Sequence, residues 1–343
     1  MNRTFRLLIM CSAAIAELGL SGACVITSSR GGPDGDRPPD GGGGPLPDAG
    51  GPPPLDGGIG GGGDVATRWL AFDSDRGTFN RDIYLVRGDG SQLMRLTTES
   101  SVERDPAFSH SATSLAFASD RSGSMQIHVM DLARRGVRQL TFLPAGADEP
   151  SWSRDDSQIV FHSGASVYVM SADGGNPRVL ATGPDNFNAY RYPSFSLDGR
   201  EVMLSRGNEI DALKLGDSAK RYVVQNWTTT EETPALSGDG RLVAFGVVCG
   251  PVEVLAMTTF ADYAPDPCAT QRVTLAAAGV ARRPSWAGND AIAFEHTVPP
   301  GTAAAIAITS APGSQPQDIV GPPGDHRDPS WAPVGFRPVV YGD

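Results

Sequence analysis

Apolar and polar positions recur in phase along the last two thirds of the chain. Six copies of one phrase lie between residues 106 and 332: proline, a small residue, an aromatic residue or leucine, then serine or alanine. Successive prolines are 44, 43, 41, 50 and 45 residues apart. They are Pro106, Pro150, Pro193, Pro234, Pro284 and Pro329. A repeat of about 40 to 50 residues is the period of β-propeller blades.

Each repeat predicts four short strands. Ten or eleven residues after the proline, an apolar segment reaches Phe117, Phe161, Leu204, Phe245 or Phe294. A turn such as Asp198-Gly199 lies between the proline phrase and the apolar segment. It favours a hairpin, because both turn residues tolerate positive φ. An alternating run such as Ile127–Met130 and a fourth short run such as Arg138–Thr141 follow. Four strands per repeat predict one propeller blade.

The prolines predict where the innermost strands lie. Proline has no backbone N–H and is tolerated at the first residue or the edge of a strand, so we expect each phrase to open an innermost strand. The aromatic residue two positions later then points to the same face as the proline. We therefore expect Trp152, Trp286 and Trp331 to pack between adjacent blades as core residues.

The two ends of the repeat region are complementary. Trp69–Phe72 matches a second strand without a proline phrase before it, and the phrase at Pro329 has no third or fourth strand after it. The sequence therefore predicts an all-β, six-bladed β-propeller of four-stranded antiparallel blades, in which N- and C-terminal strands share one blade. Residues 339–341 could also fill the second position of that blade, and the sequence leaves both arrangements open.

The order P-x-W-S-x-D-G, I-A-F, I-Y-V-M and R-x-L-T resembles the repeat of the TolB-type β-propeller family, over about residues 67–343. The resemblance implies the six-bladed fold and a protein-binding role in a bacterial cell envelope. Related propellers also serve as peptidases, lyases and receptors, so the resemblance is more specific for fold than for function.

The N-terminal residues predict export. Arg3 and Arg6 precede an apolar stretch and the small residues before Cys24, so residues 1–23 are interpreted as a signal peptide. Cys24 is then the candidate for lipidation, and cleavage without lipidation is the alternative. Residues 24–66 are interpreted as a disordered tether, because positions 31–64 hold fifteen glycines and eight prolines. A chain of this kind would span about 30–35 Å. The remaining residues, 67–343, form the predicted propeller.

Two further cysteines, Cys249 and Cys268, flank the third strand of the fifth repeat, where the proline spacing stretches to 50 residues. An exported protein is exposed to oxidising conditions, so we expect a disulfide between them that closes an inserted loop. No CxxC motif or neighbouring histidine accompanies them, which disfavours a catalytic or metal-binding thiol pair.

Composition and motifs give little sign of catalysis. The formal net charge is −11 and no basic stripe appears, which argues against nucleic acid as a partner. The sequence contains no G-x-S-x-G, H-E-x-x-H, EF-hand or P-loop motif, so we expect no catalytic residue, cofactor or metal. Five histidines are scattered through the repeats and do not match the histidine-rich motifs of propeller lyases. We expect a monomer.

The residues just before the six prolines form the candidate binding site. They are Asp105, Glu149, Tyr192, Thr233, Arg283 and Asp328. We expect them on exposed loops entering the innermost strands, where they would ring one mouth of the central channel and contribute little to stability. The sequence therefore predicts a non-catalytic envelope scaffold that binds a protein or peptide at this mouth. The alternative is a polysaccharide lyase or hydrolase of the periplasm or cell surface.

Overall fold

The computed structural model describes residues 64–77, 80–184, 189–207, 209–216, 219–225, 231–249, 252–261, 280–297, 303–309 and 316–339. The predicted signal peptide, Cys24, most of the tether and Cys268 lie outside these ranges. Within them, the one helical element is a 3-10 turn at Val65–Thr67, capped by the side chain of Asp64. None of the described segments is a helix long and apolar enough to cross a membrane.

The described residues form twenty-three strands in six antiparallel sheets. The innermost strands are β4 (Glu103–Phe108), β8 (Asp148–Trp152), β12 (Arg191–Phe195), β16 (Glu231–Leu236), β19 (Val280–Ala287) and β23 (His326–Trp331). The second strands are β1 (Trp69–Ser74), β5 (Ser114–Ser119), β9 (Gln158–Ser163), β13 (Glu201–Arg206), β17 (Leu242–Cys249) and β20 (Ala291–Thr297). The third strands are β2 (Asp82–Arg87), β6 (Gln126–Asp131), β10 (Ser166–Ser171), β14 (Glu209–Lys214), β18 (Val252–Thr259) and β21 (Ala305–Thr309). The outer strands are β3 (Met94–Arg95), β7 (Val137–Gln139), β11 (Arg178–Thr182), β15 (Lys220–Gln225) and β22 (Gln317–Val320).

The six sheets are the blades of a β-propeller, as the sequence predicts. Each innermost strand contacts the innermost strands of the two neighbouring blades, and the contact between β23 and β4 completes the ring. Five blades have four strands, and the fifth blade in chain order shows three within the described residues. The closing blade has the order β23-β1-β2-β3, so the C-terminal strand pairs with the N-terminal one. Leu70 lies opposite Trp331, which assigns the second position to Trp69–Ser74.

A β-bulge interrupts every innermost strand at the proline. In β4, Arg104 pairs with Ala118 and Ala107 with Ala116, so Asp105 and Pro106 together oppose the single residue Phe117. The same register shift occurs in β8, β12, β16, β19 and β23. Each bulge lies opposite the recurrent bulky residue of the second strand, which is buried. These residues are Phe72, Phe117, Phe161, Leu204, Phe245 and Phe294.

The residue before each proline adopts the left-handed conformation, although none of the six is glycine. Their φ angles lie between 50° and 55°. Two expectations are therefore wrong. The prolines lie inside the innermost strands and not at their first residues, because the bulge and the unpaired inner edge remove the need for an N–H at that position. The residues before them belong to the strands and not to entering loops.

Trp152 and Trp331 are buried as predicted, whereas Trp286 is partly buried and packs against a core cluster. Trp152 is buried together with Ile127 of the preceding blade and Phe161 of its own. Its indole N–H donates to the carbonyl of Ala107, at 3.1 Å. Trp286 makes the equivalent bond to Ala235, also at 3.1 Å. The indoles of Trp152 and Trp286 thus link their own innermost strands to the innermost strands of the preceding blades.

Candidate functional site

Six blades contribute one residue each to a cavity at the end of the channel. The cavity has a volume of about 140 Å³ and is lined by the six prolines and the six residues before them. We call this set, Asp105, Glu149, Tyr192, Thr233, Arg283 and Asp328, the channel mouth. The bulges bring these residues together, because each bulge turns the residue before the proline towards the channel axis.

Hydrogen bonds link the channel mouth from blade to blade. The N–H of Glu149 donates to the side chain of Asp105 at 3.3 Å, and the N–H of Tyr192 donates to Glu149 at 2.7 Å. The N–H of Arg283 donates to the Thr233 hydroxyl at 3.0 Å. Side chains of the channel mouth therefore accept the amides that the left-handed bulges turn inward, and this stabilises an otherwise unfavourable backbone conformation.

Second strands supply the remaining acceptors. The N–H of Asp105 donates to Asp73 of β1 at 3.3 Å. The N–H of Asp328 donates to Glu295 of β20 at 3.0 Å. Asp73 and Glu295 follow the bulky residues Phe72 and Phe294, and in a third blade the residue at this position is His162. Asp73 and Glu295 were not among the site residues predicted from the sequence. Their common place in the repeat, directly after the bulky residue, is the signal that could have identified them.

Arginines pair with most of the mouth carboxylates. Arg283 Nη1 lies 2.5 Å from Asp328 Oδ1 and 3.3 Å from Glu295 Oε1. Arg191 Nε donates to Glu149 Oε1 at 2.9 Å, and Arg81 donates to Asp73. Glu149 is 7% exposed, so its carboxylate depends on Arg191 and on the amide of Tyr192 for stabilisation. The expectation that these carboxylates contribute little to stability is therefore not supported by their contacts.

Asp73, Asp105 and Asp328 form a compact carboxyl cluster. One oxygen of each lies within 4.8 Å of the others. Burial, opposed by Arg283 and reinforced by Asp73, raises the pKa of Asp328 to about 7. Burial and the charge of Asp328 raise the pKa of Asp105 well above its usual range. Burial also raises the pKa of Asp73, although Arg81 opposes it. The cluster therefore retains a proton near neutral pH, which relieves the repulsion between its members.

Asp148, Glu149 and His162 form a second cluster with one oxygen or nitrogen from each within 4.8 Å of the others. His162 Nδ1 lies 2.6 Å from Asp148 Oδ1, and its Nε2 lies 2.7 Å from the carbonyl oxygen of Gly164. Burial disfavours the charged ring, but the bond to Asp148 and the charges of Glu149 and Asp148 together outweigh burial and raise the pKa of His162. Both partners accept, so both ring nitrogens carry protons and His162 is an imidazolium ion. A doubly protonated ring offers no lone pair to a metal.

The size of the channel-mouth cavity bears on the enzyme alternative. Carboxyl groups with raised pKa values often mark catalytic sites. Here burial and mutual repulsion account for the shifts, and a cavity of about 140 Å³ is smaller than the roughly 300–1,000 Å³ of typical small-molecule sites. Of the other candidates, Cys249 ends β17, and Cys24 and Cys268 lie outside the described residues.

The comparisons with known proteins agree with the fold. No family model matches the chain. A TolB homologue of Chlorobium luteolum is 38% identical over 76 residues, which are 22% of this chain and 16% of that protein. The crystal structure of TolB from Acinetobacter baumannii matches with a TM-score of 0.65 and 16% identity, over 78% of this chain and 67% of that one.

Hydrazine synthase from Kuenenia stuttgartiensis matches with a TM-score of 0.62 and 14% identity, over 80% of this chain and 48% of that one. At such identities a structural match supports the fold alone, and this fold occurs in an enzyme as well as in TolB. The predicted resemblance is confirmed: the chain is a six-bladed β-propeller, similar to TolB in fold and, over one segment, to a TolB homologue in sequence.

Proposed function

We propose that the protein is a non-catalytic binding module of the bacterial cell envelope, and that its channel mouth receives a protein or peptide partner. The observation that carries the proposal is the convergence of one polar residue from each blade on a single small cavity. A cavity of this volume admits one side chain or a chain end, which suits recognition of a peptide. The likeness to TolB in fold and local sequence supports an envelope role.

The contacts of the channel mouth distinguish two tiers. The inner tier consists of the six residues before the prolines, which are largely engaged in holding the blades together. The outer tier lies one residue earlier and includes Arg104, Arg191 and Arg327, whose side chains are 39%, 42% and 48% exposed. Each of these arginines also pairs with a carboxylate of the propeller, namely Asp148, Glu149 or Asp325. Their partly exposed guanidinium groups retain donors that favour a partner with carboxylates beside the inserted group.

Site-specific photocrosslinking in cells tests this proposal. A photoreactive phenylalanine replaces Arg327 in one variant and Arg134 in the control. Arg134 follows β6 on the opposite face of the propeller and its side chain is 83% exposed. We expect a discrete crosslinked partner from position 327 and none from position 134. Identical products at the two positions, or none at position 327, would contradict binding at the channel mouth.

The proposal includes export by residues 1–23, lipidation at Cys24 and a tether over residues 24–66. A Gly- and Pro-rich segment directly after a lipidated cysteine would hold the propeller away from a membrane surface, at about 30–35 Å. The membrane is then contacted through the lipid alone, and the propeller acts as a monomer. The proposed location is therefore the periplasm or the outer membrane.

A disulfide between Cys249 and Cys268 completes the proposal. Cys249 ends β17, and the third strand β18 begins three residues later, so a bond from Cys249 would span that strand. Closure of such a loop would stabilise the fold by about 3 kcal/mol. Peptide mapping under non-reducing conditions should recover the two cysteines in one linked fragment. Two free thiols in oxidised protein would exclude the bond.

A further inference from the structure

A second cavity, far larger than the channel mouth, lies beside the strand that closes the propeller. Its volume is about 410 Å³, and it is lined by Trp69, Arg87, Gln92, Leu93, Met94, Arg337 and Pro338. We call it the seam cleft. Trp69 begins β1, whereas Asp73 of the carboxyl cluster lies four residues along the same strand, or about 13 Å away. The seam cleft is therefore separate from the channel mouth.

The C-terminal tail, residues 332–339, forms one wall of the seam cleft and is anchored on both sides of it. The Phe336 ring packs against Phe108, with ring centres 5.1 Å apart. Beyond the cleft, Arg135 Nη2 donates to the carbonyl of Val339 at 3.2 Å. Arg337 and Pro338 lie between these two anchors, so the wall is held in place by the fold.

The floor of the seam cleft is apolar. Leu93 is 39% exposed, although Met94 beside it packs against the buried core that contains Trp69. A ligand that covers Leu93 removes apolar surface from water, and this favours binding. The cleft volume falls within the range of small-molecule sites, in contrast to the channel mouth.

Two guanidinium groups, those of Arg87 and Arg337, border this floor. Arg87 lies over the Trp69 ring, 5.4 Å from its centre, and donates to Gln92 at 2.9 Å. Asp89 is near in sequence, but its Oδ1 accepts the amide of Ser91 at 2.9 Å. Within the described residues, neither Arg87 nor Arg337 forms an ion pair. In a chain of net charge −11, two cations beside one apolar surface give the seam cleft a local positive charge.

We propose that the seam cleft binds a small amphipathic organic anion, with an apolar chain or ring on Leu93, Met94 and Trp69 and a carboxylate between Arg87 and Arg337. Charge complementarity selects the anion, because guanidinium groups bind carboxylates through paired hydrogen bonds. The apolar floor selects a ligand with a hydrocarbon body. This inference does not rest on the function proposed for the channel mouth.

Fluorescence titration of the full-length protein with 8-anilinonaphthalene-1-sulfonate tests the proposal, with decanoate and decanol as competitors. We expect decanoate to displace the probe and decanol to fail at the same concentration. Arg337→Ala should weaken probe and decanoate binding about tenfold, and Leu93→Asp at least as much, because it removes apolar contact and adds repulsion. The control Arg134→Ala removes an exposed arginine elsewhere on the propeller and should leave binding unchanged.

Unchanged affinity in both cleft variants, equal competition by decanol, or no probe binding would overturn the proposal. If Leu93→Asp lowers the melting temperature markedly, Arg337→Ala alone decides, since the Arg337 side chain is exposed and forms no ion pair within the described residues. A chain ending at Val339 tests another occupant. If it binds decanoate much more tightly than the full chain, residues 340–343 fill the cleft and the proposal is wrong. Equal binding supports an external ligand.

Discussion

The carboxyl cluster of Asp73, Asp105 and Asp328 beside the channel mouth brings three groups close enough to compete for one proton. Asp73 and Asp328 each have an arginine partner, whereas the nearest cation to Asp105 is Arg104, at 3.6 Å. An ionised, buried carboxylate with so distant a partner is costly, so the protonated form of the cluster is favoured. The cluster is therefore a local feature whose contribution to the free energy of unfolding depends on pH.

The pKa of Asp328, raised to about 7, predicts the sign of that dependence. A raised folded-state pKa stabilises the fold fully below the unfolded value of about 3.9, and the stabilisation is lost as pH rises through about 7. The melting temperature of the wild type should therefore fall between pH 5 and pH 8. We expect a smaller fall in Asp328→Asn, because its side chain cannot titrate. Each kcal/mol of pH-dependent stability that the substitution removes should reduce the fall by about 2–4 °C. The control Asp89→Asn, at an exposed turn, should keep the wild-type slope.

Glu149 tests whether the carboxylates of the channel mouth are structural. Glu149→Gln weakens the ion pair with Arg191 and the bond from the Tyr192 amide. Weakening a buried, charge-assisted hydrogen bond should cost about 1–3 kcal/mol in urea unfolding. Glu99→Gln, an exposed change of the same chemistry, should stay within about 0.5 kcal/mol of the wild type. Equal stability of the two variants would mean that Glu149 is free to serve a partner.

At the scale of the element, the bulge in each innermost strand links several recurrent features of the repeat. The proline terminates regular pairing, the residue before it turns into the left-handed region, and the bulky residue of the second strand lies opposite both. Left-handed backbone costs about 1–2 kcal/mol for a residue with a side chain. The bonds between neighbouring mouth residues and the packing of Phe117 and its equivalents offset this cost.

Thr233, with a φ angle of 52°, allows the backbone cost to be measured. Thr233→Ala and Thr233→Gly both remove the hydroxyl that accepts the Arg283 amide. Glycine tolerates positive φ, so the glycine variant should be more stable than the alanine variant by about 1 kcal/mol. At Ala107, two residues after a bulge residue, the ordinary order should hold, and Ala107→Gly should lose about 0.5–1 kcal/mol. The same order at both positions would contradict a strained bulge.

At the scale of the whole molecule, the propeller is closed by strands from opposite ends of the described chain. β23 pairs with β1 and also contacts β4 and β19, so it joins three blades. The amide of Ala332 donates to the Trp69 carbonyl at 2.9 Å and extends the pairing into the C-terminal tail. Without β23, the inner edge of β1 would be exposed.

A chain that ends at Asp325 should therefore fail to close. We expect it to lose cooperative thermal unfolding and to have a larger hydrodynamic radius than the full chain, because β1 and β4 lose a shared neighbour. A chain that ends at Val339 keeps β23 and the C-terminal tail and should melt as the wild type does. A truncated protein with unchanged radius and cooperative melting would show that closure does not depend on β23.

The attachment of the whole protein to a membrane is tested at Cys24. Mass spectrometry of the mature N-terminus should detect a lipidated Cys24, and Cys24→Ala should release the protein into the soluble fraction. The melting temperature should not change, because a Gly- and Pro-rich segment buries no core. Wild-type protein with an unmodified N-terminus would remove the anchor from the proposed function.

Periodicity in the sequence was sufficient for the architecture. The proline phrase, the bulky residue ten or eleven positions later and the alternating third run predicted six blades, because each reports a local preference that repeats with the blade. The shared closing blade was predicted as well. The sequence left two candidates for the second strand of that blade, Trp69–Phe72 and residues 339–341. The pairing of Leu70 with Trp331, about 260 residues apart in the chain, selects the first candidate, and it is visible in the folded protein alone.

The repeat pattern also predicted which residues meet at the channel mouth, since equivalent positions of a propeller face the same end of the channel. It did not predict the backbone conformation, the hydrogen bonds or the protonation of these residues. The left-handed bulge, the acceptance of inward amides by Asp105, Glu149 and Thr233, and the proton retained by Asp328 each depend on a neighbouring blade. Burial and charge at these residues come from other blades, which are distant in sequence, and the closed ring brings those blades into contact.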